Sequence, residues 1–407
     1  MNQLELLAPA GDLEKLKIAI DYGADAVYFA GESFSLRAGA RNFSLEDMAE
    51  GVSYAHQRGK KAYLTLNIFA HNSDVEELRT YLLRIASIPI DAFIVSDPGV
   101  LLVLKEIRPQ AQVHLSTQAN TTNYQAANFW YQQGVRRIVL ARELSLEEIK
   151  SLKEHTPEDL ELEAFVQGAM CISYSGRCLL SNYMIERDAN RGECAHPCRW
   201  KYSLVEEKRP GEYYPVEEDQ RGAYVMNSKD LCMLPHLPEL IRSGITSFKI
   251  EGRMKSIYYV AVVIGVYRKA LDAYLKDPEG FQFQETWMTE LKKASHRKFT
   301  TGFFFGKPSE EDQNYQSSSY SRDYEFLGLI KEYVPKTGMA LVEQRNRIQV
   351  GDQVEIFGPD RDFFPQSIQS MLDEEGNEIQ KAPHAQQLVR IPMDQPVKAS
   401  YLIRKAR

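Results

Sequence analysis

Short apolar runs alternate with longer amphipathic stretches over the first 167 residues. The runs are LELLAPAG (4–11), DAVYFAG (25–31), KAYLTLNIF (61–69), DAFIVSD (91–97), QVHLSTQ (112–118), RRIVLAR (136–142) and LELEAFVQ (160–167). Each is rich in Val, Ile, Leu or aromatic residues, as buried parallel strands are. Between them, apolar residues recur at helical spacing over 13–23, 44–59, 75–86, 98–107, 123–134 and 145–155. Gly23 and Gly59 stop the first two helices. Ser44 takes the N-cap of the second, with Asp47 at the capping-box position. Unbroken alternation predicts a parallel sheet wound by right-handed crossovers. A helix at 234–244 and a strand at 246–253 (TSFKIEGR) follow, with a further candidate strand at 223–231. Seven strands and this last one make eight. That count favours a closed (β/α)8 TIM-like barrel over an open doubly wound sheet. A helix from about Tyr258 to Leu275 would close it. No Gly-x-Gly-x-x-Gly follows the first strand, so no dinucleotide site is expected there.

The pattern breaks twice. Residues 168–231 are too long for a plain strand-to-helix connection and read as a cysteine-rich insertion within a barrel domain of residues 1–280. Its second half, acidic and turn-rich, reads as an exposed hairpin. Residues 281–323 hold a short helix and a polar, Ser-rich linker. Residues 324–407 return to strand-length alternation over 325–334, 338–345, 353–359, 366–372, 387–392 and 397–405. Turn signals at Arg345-Asn346-Arg347 and Glu375-Gly376-Asn377 separate these strands, so a small C-terminal all-β barrel is expected.

Composition changes this picture little. The 407 residues are 43% hydrophobic and 26% charged, with a net charge of -7. That fits a soluble globular protein and argues against a surface coated for nonspecific nucleic-acid binding. A local basic face remains compatible with RNA. No apolar run approaches membrane-spanning length. The N-terminus lacks a basic region followed by an apolar stretch. A cytoplasmic protein without a membrane partner is the expectation.

In a barrel, the residues that end the strands share one mouth. Arg37 and Arg41 follow strand two, Asn67 ends strand three and Asp97 follows strand four. His114, Ser116 and Gln118 come with strand five, Arg142 and Glu143 with strand six, Gln167 with strand seven, and Lys249, Glu251 and Arg253 with strand eight. So many polar groups beside buried strands point to a ligand, because desolvating them without one is unfavourable. Arginine forks suit a carboxylate or phosphate. Glu251, Arg253, Lys249 and His114 are the candidate catalytic groups. Arg37, Arg41, Asn67, Gln118, Arg142 and Gln167 are the candidate substrate contacts. Each also has a plain reading: His114 as a core histidine, Asn67 as a rim cap, Glu251 and Arg253 as an ion pair.

Four of the five cysteines, Cys171, Cys178, Cys194 and Cys198, fall in the insertion; Cys232 stands apart. Five cysteines in a chain of this length do not make a disulfide scaffold. Gly168, Gly176, Gly192 and Pro197 between them let the backbone turn around a small object. Four thiolates suit tetrahedral zinc, yet only Cys194 and Cys198 have the short spacing of structural zinc sites. An iron–sulfur cluster takes the same ligands with freer spacing. Buried free cysteines are the third reading. Spacing leaves zinc and iron–sulfur open. Arg177, Arg187, Arg191, Arg199 and Lys201 are interleaved with Tyr174, Tyr183, Trp200 and Tyr202, a mixture suited to phosphate contact and base stacking.

This segment also carries a resemblance. Glu163, Phe165, Gly168, Ala169, Met170, Cys171, Gly176, Cys178, Leu180 and Ser181 match the signature of the collagenase-like peptidases of unassigned catalytic type, the U-class family. The opening residues 5–31 and FKIEGRMKS (248–256) resemble it too. The resemblance covers most of residues 1–290. It implies more than the name does, because four-cysteine members resemble oxygen-independent hydroxylation proteins that carry a [4Fe-4S] cluster. Carried over here, it implies Cys171, Cys178, Cys194 and Cys198 as cluster ligands. The subgroup alike in length and tail implies tRNA as partner, a wobble uridine hydroxylated at C5, and prephenate as co-substrate. A protein partner or a homo-oligomer is compatible with this. Relatives acting on ribosomal RNA keep that substrate open. A metallopeptidase finds no His-Glu-x-x-His motif in the chain. A noncatalytic RNA-binding subunit is the remaining rival.

Overall fold

The computed structural model describes residues 4–32, 34, 42–171, 173–175, 177–189, 193–199, 203–204, 214–215, 229–294, 296–307 and 323–407. Six strand–helix steps and a seventh strand open the chain. They are β1 (Glu5–Pro9), α1 (Leu13–Asp21), β2 (Ala26–Phe29), α2 (Leu45–His56), β3 (Lys61–Leu66), α3 (Asn72–Arg84), β4 (Ala92–Val95), α4 (Pro98–Ile107), β5 (Val113–Leu115), α5 (Tyr124–Gln132), β6 (Arg137–Val139), α6 (Leu146–Glu154) and β7 (Glu161–Ala169). The insertion contributes α7 (Leu180–Ile185), β8 (Ser203–Leu204), β9 (Tyr214–Pro215) and β10 (Asp230–Cys232). Then come α8 (Leu237–Arg242), β11 (Ile245–Ile250), α9 (Ile257–Lys276), α10 (Glu285–Lys293) and β12 (Phe299–Thr300).

The strands run in the order β11-β1-β2-β3-β4-β5-β6-β7, all parallel, and β11 pairs with β7 to close the barrel. The expected (β/α)8 fold is therefore present, with β11 as the eighth strand. Local signals set the helices. Asp12, Ser44, Asn123 and Ser145 each accept a backbone N–H of the first turn. Such caps satisfy orphan donors at the helix start. Asp97 does the same for Val100; it is the N-cap of α4, not a free polar group at the mouth. The apolar core lies between the strands and the helical ring. α9 packs twelve buried residues into it, from Ile257 to Leu271.

β7 is longer than its barrel neighbours. Its last residues leave the rim and pair antiparallel with β10, Gly168 opposite Leu231. This extension ties the return of the insertion to the barrel. The foot of the expected hairpin is present as the β8–β9 pair; its tip lies outside the described residues. So do the Ser-rich linker and the first part of the candidate strand at 223–231, whose last two residues, Asp230 and Leu231, open β10.

The C-terminal unit holds β13 (Tyr324–Val334), β14 (Met339–Gln344), β15 (Ile348–Gln349), β16 (Gln353–Gly358), β17 (Arg361–Ser367), β18 (Lys381–Ala382), β19 (Leu388–Pro392) and β20 (Leu402–Ala406). Six strands form one antiparallel sheet in the order β17-β16-β20-β13-β14-β19. The two edges meet through a side chain. Gln366 of β17 donates to the Pro392 carbonyl at 2.7 Å and accepts from Asp394 N at 2.9 Å. The strand expected at 366–372 is displaced: β17 is Arg361–Ser367 and includes Pro365. Proline masked it in the sequence, and an edge strand tolerates the missing donor.

The two units share a junction. Tyr258 of α9 stacks on Phe326 with ring centres 5.6 Å apart. Arg404, fully buried, is held by Glu290 of α10 and Glu355 of β16.

Candidate functional site

A pocket opens at the C-terminal mouth of the barrel. Its walls carry Asn67, Gln118, Arg142, Lys249, Glu251 and Arg253 from the expected set. Tyr28, Thr65, Ser116, Thr117 and Phe165 complete the polar and aromatic lining, with Ile94 and Val139 beneath. Seven of the eight barrel strands, or the turns after them, contribute.

Two glycines permit this convergence. A Cβ on Gly11 would stand 2.0 Å from the Arg253 carbonyl oxygen. A Cβ on Gly168, whose φ is +114°, would stand 2.8 Å from the Cβ of Glu251. Glycine alone fits both places. The turn carrying Glu251 and Arg253 thus sits against the ends of β1 and β7.

The side chains are fixed by neighbours. Asn67 Nδ2 donates to Ser116 Oγ at 3.3 Å and to Gln118 Oε1 at 3.1 Å. Arg142 donates to the Ala169 carbonyl at 2.8 Å and lies 4.2 Å from the Phe165 ring centre. Among the described residues its Nε has no hydrogen-bond partner. Arg253 Nη2 donates to Asn42 Oδ1 at 2.8 Å. Tyr28 OH donates to the Ile250 carbonyl at 2.9 Å and lies 3.4 Å from Glu251 Oε2. Arg142 and Arg253 bring two cations to the walls and Glu251 one carboxylate. Such a set can clamp an anion and hold one proton acceptor beside it.

Lys249 is occupied from below. Its Nζ lies 2.6 Å from Glu163 Oε1, which is buried inside the barrel. Arg137 bridges Glu163 to Glu5. Tyr63 OH donates to Glu5 at 2.6 Å. Burial alone would raise the Glu5 carboxyl, but the Arg137 guanidinium holds it below its ordinary range. Burial, then the negative charge of Glu5, pushes the Tyr63 hydroxyl well up.

Two expected site residues lie elsewhere. His114 is buried inside the barrel below the pocket, edge-on to Tyr63 with ring centres 4.7 Å apart. Burial, then the positive Arg137 and Lys249, holds its imidazole well below the ordinary value. Gln167 turns outward and accepts from Tyr267 of α9 at 3.2 Å. A register shift between β11 and β7 at Lys249/Ile250 takes it off the interior face. Arg37 and Arg41 lie outside the described residues.

The four insertion cysteines stand apart from the core. Cys171 is exposed; Cys178, Cys194 and Cys198 are half-buried; all are free thiols. Cys232 is buried, and burial pushes its thiol up to about 12. The reading of the four insertion cysteines as buried core residues therefore does not hold. Among the described residues, no three His, Cys, Asp or Glu side chains gather within reach of one ion. The donor set nevertheless has the chemistry of a zinc or iron–sulfur centre: four accessible thiols on one segment, beginning two residues after the end of β7. Nearby, Tyr174 and Tyr183 are 47% and 87% exposed, more than packing explains.

Sequence reasoning missed Tyr28, Thr65, Glu5, Arg137 and Tyr63, and took Glu163 and Phe165 only as parts of a signature. The signal was present in the alternation within strands. Glu161, Glu163 and Phe165 share one face of β7, and in a barrel one face of every strand is interior.

A barrel of this kind, with a cationic pocket at its mouth and a cysteine-bearing flap beside it, defines a pocket-bearing TIM-like barrel protein with a β-sheet tail. The chain belongs to peptidase family U32, whose model matches residues 11–314, while the family's C-terminal domain matches residues 322–404. It is 45% identical to the tRNA hydroxylation protein P1 of Bacillus subtilis, covering 99% of this chain and 95% of that protein. It is 31% identical to the collagenase of Porphyromonas gingivalis, covering 98% of this chain and 97% of that one. To the 23S rRNA 5-hydroxycytidine C2501 synthase of Escherichia coli it is 38% identical, covering 74% of this chain and 45% of that protein. Among the described residues no helix is long and apolar enough to cross a membrane.

Proposed function

We propose that this protein is a tRNA-modifying enzyme that hydroxylates the wobble uridine at C5 to 5-hydroxyuridine, without molecular oxygen and with prephenate as co-substrate. It acts in the cytoplasm. The observation that carries the reading is the end-to-end similarity to a tRNA hydroxylation protein, joined to a pocket of matching character. Arg142 and Arg253 suit the carboxylates of an anionic co-substrate. The amides of Asn67 and Gln118 suit the edge of a base, and Glu251 can accept a proton. Tyr174 and Tyr183, with Arg177 and Arg187 beside them in sequence, suit stacking and phosphate contact outside the pocket.

Cys171, Cys178, Cys194 and Cys198 would hold a [4Fe-4S] cluster. Such a cluster supplies Lewis-acid or one-electron chemistry. Zinc is the alternative for the same donors. A second reading, ribosomal RNA as substrate, is favoured by the similarity to the rRNA synthase. A peptidase reading has the family name and the collagenase behind it, but no His-Glu-x-x-His in the chain.

The test pairs anaerobic purification with nucleoside analysis of tRNA and 23S rRNA from a deletion strain. About four irons and four sulfides per chain, with 5-hydroxyuridine derivatives missing from tRNA alone, are the expected result. Loss confined to rRNA would move the substrate. One zinc per chain and unchanged RNA would sink the proposal.

A further inference from the structure

Four ions fill the barrel beneath the pocket, and each comes from a different strand: Glu5 of β1, Arg137 of β6, Glu163 of β7 and Lys249 of β11. Glu163 is 0% exposed, and Arg137 and Lys249 are each 4% exposed. Lys249 Nζ donates to Glu163 Oε1 at 2.6 Å. The other oxygen of Glu163 lies 3.3 Å from Arg137 Nη1 and 3.3 Å from Ser247 Oγ. Arg137 in turn meets Glu5. Arg137 Nε also donates to the half-exposed Glu161 at 2.7 Å. The buried ions are two cations and two carboxylates, and they balance only while Lys249 carries its proton. Lys249 is the ion nearest the mouth. Its ammonium lies 4.4 Å from the ring centre of Tyr28 and 5.5 Å from that of Phe165, both pocket walls.

We propose that Glu163 is a positioning residue for Lys249, holding its ammonium charged at the pocket floor, so that the lysine serves the site as a fixed cation and not as an amine nucleophile. Removing the proton would leave two buried carboxylates against one guanidinium, and buried uncompensated charge is strongly disfavoured. The aromatic faces of Tyr28 and Phe165 favour the cation as well. The other groups facing this interior do not take over the task. Tyr63 is committed to Glu5, His114 is crowded by Arg137 and Lys249, Lys61 lies at the far end of β3, and Glu251 sits above Lys249 beside Tyr28. A permanent cation under Arg142 and Arg253 deepens the reading of the pocket as an anion site, and it rests on that reading only for what the cation binds.

The test follows the Lys249 side chain directly. Full-length protein labelled with 13Cε-lysine is titrated from about pH 6 to about pH 11, across the ordinary lysine value of about 10.4; K249R assigns the signal. In E163Q the lysine signal turns over at least about one unit lower than in the wild-type chain, a tenfold change in the protonation equilibrium. E163D gives an intermediate midpoint and carries the test alone if E163Q does not fold. E163Q binds prephenate about fivefold more weakly than wild type at about one pH unit above the variant's own lysine midpoint and nearly equally at about pH 6, a profile that a merely loosened barrel does not produce. A Lys249 that turns over at the same pH with and without the carboxylate overturns the proposal, as does a wild-type Lys249 already neutral at about pH 7. Prephenate bound by no chain, with the signal shift intact, upholds the ion relay and sinks the co-substrate reading.

Discussion

The barrel interior and the domain junction each bury two cations against two carboxylates. Inside the barrel, Arg137 and Lys249 face Glu5 and Glu163. At the junction, Arg404 and Lys293 face Glu290 and Glu355. The junction cluster is shut in. Arg404 is fully buried, with its guanidinium 4.5 Å from the Phe357 ring centre, and every carboxylate it meets belongs to α10 or β16. The barrel cluster lies under a pocket, and its last cation is part of the floor. Barrel interiors are commonly filled by Val, Ile and Leu; here a small apolar cluster of Leu7, Ala26, Tyr28, Tyr63, Ala92 and Ile94 shares the space with ions. The C-terminal unit instead has an apolar core of its own, including Leu327, Ile330, Val342 and Ile356. Charge inside the barrel lies beneath a pocket, whereas charge at the junction ties the two units together.

The sharpest way to break this comparison is to remove one cation from each cluster. Arg137→Met leaves Glu5 and Glu163 buried with Lys249 alone and destabilises the barrel by about 3–5 kcal/mol. Chemical denaturation monitored on the full chain measures it. Arg404→Met is milder, about 3 kcal/mol at most, because Lys293 stays 2.8 Å from Glu355 and broken buried pairs cost about 3–5 kcal/mol when nothing replaces them. In calorimetry it splits unfolding into two transitions. The tRNA product per folded molecule stays within about twofold of wild type, as expected for sites sharing no partner. An R404M chain that folds normally yet makes no product would end the division between site and junction.

The cysteines give a second contrast. On the proposed cluster assignment, Cys194→Ala lowers bound iron from about four per chain to less than about one. Cys232→Ala does the reverse. It leaves the iron unchanged and destabilises the fold, because Cys232 is buried in the packing of β10. Iron analysis and a melting curve on both variants decide. Iron lost from the Cys232 variant, or retained in the Cys194 variant, would move the ligand set.

The fold was legible because alternation of strand and helix is a long-range pattern that single residues barely disturb. Ser44 caps its helix as the sequence implies, and the eighth strand follows the insertion where counting places it. The pocket lining was legible at its rim, where Asn67, Gln118, Arg142, Glu251 and Arg253 follow the strands. It was obscure inside, because a run such as RRIVLAR reads as apolar although Arg137 points into the barrel. Gln167 shows the limit of counting by twos. It shares the face of Glu163 and Phe165 by parity, but one register shift turns it toward Tyr267. His114 sits on the correct face and one layer too deep.

The smallest expected effect is a slope in acid that only the barrel cluster carries near neutrality. His114 is held neutral in the folded chain by burial and by Arg137 and Lys249, while the unfolded chain takes up a proton below about pH 6.5. The unfolded state then binds more protons, so stability falls as the pH drops below that value, by up to about 1.4 kcal/mol per pH unit for one proton. Glu5 and Glu290 act later. In each, burial pulls the carboxyl up and the arginine beside it more than offsets that, so both are depressed in the fold. Their contribution is complete above about pH 4.3 and is lost as the pH falls through their folded values. Melting temperatures of wild type and His114→Gln should therefore run parallel above about pH 6.5 and diverge between about pH 6.5 and pH 5, the variant being the flatter. Curves that stay parallel through that window would show that His114 already carries its proton in the fold, and would place a third cation beside Lys249.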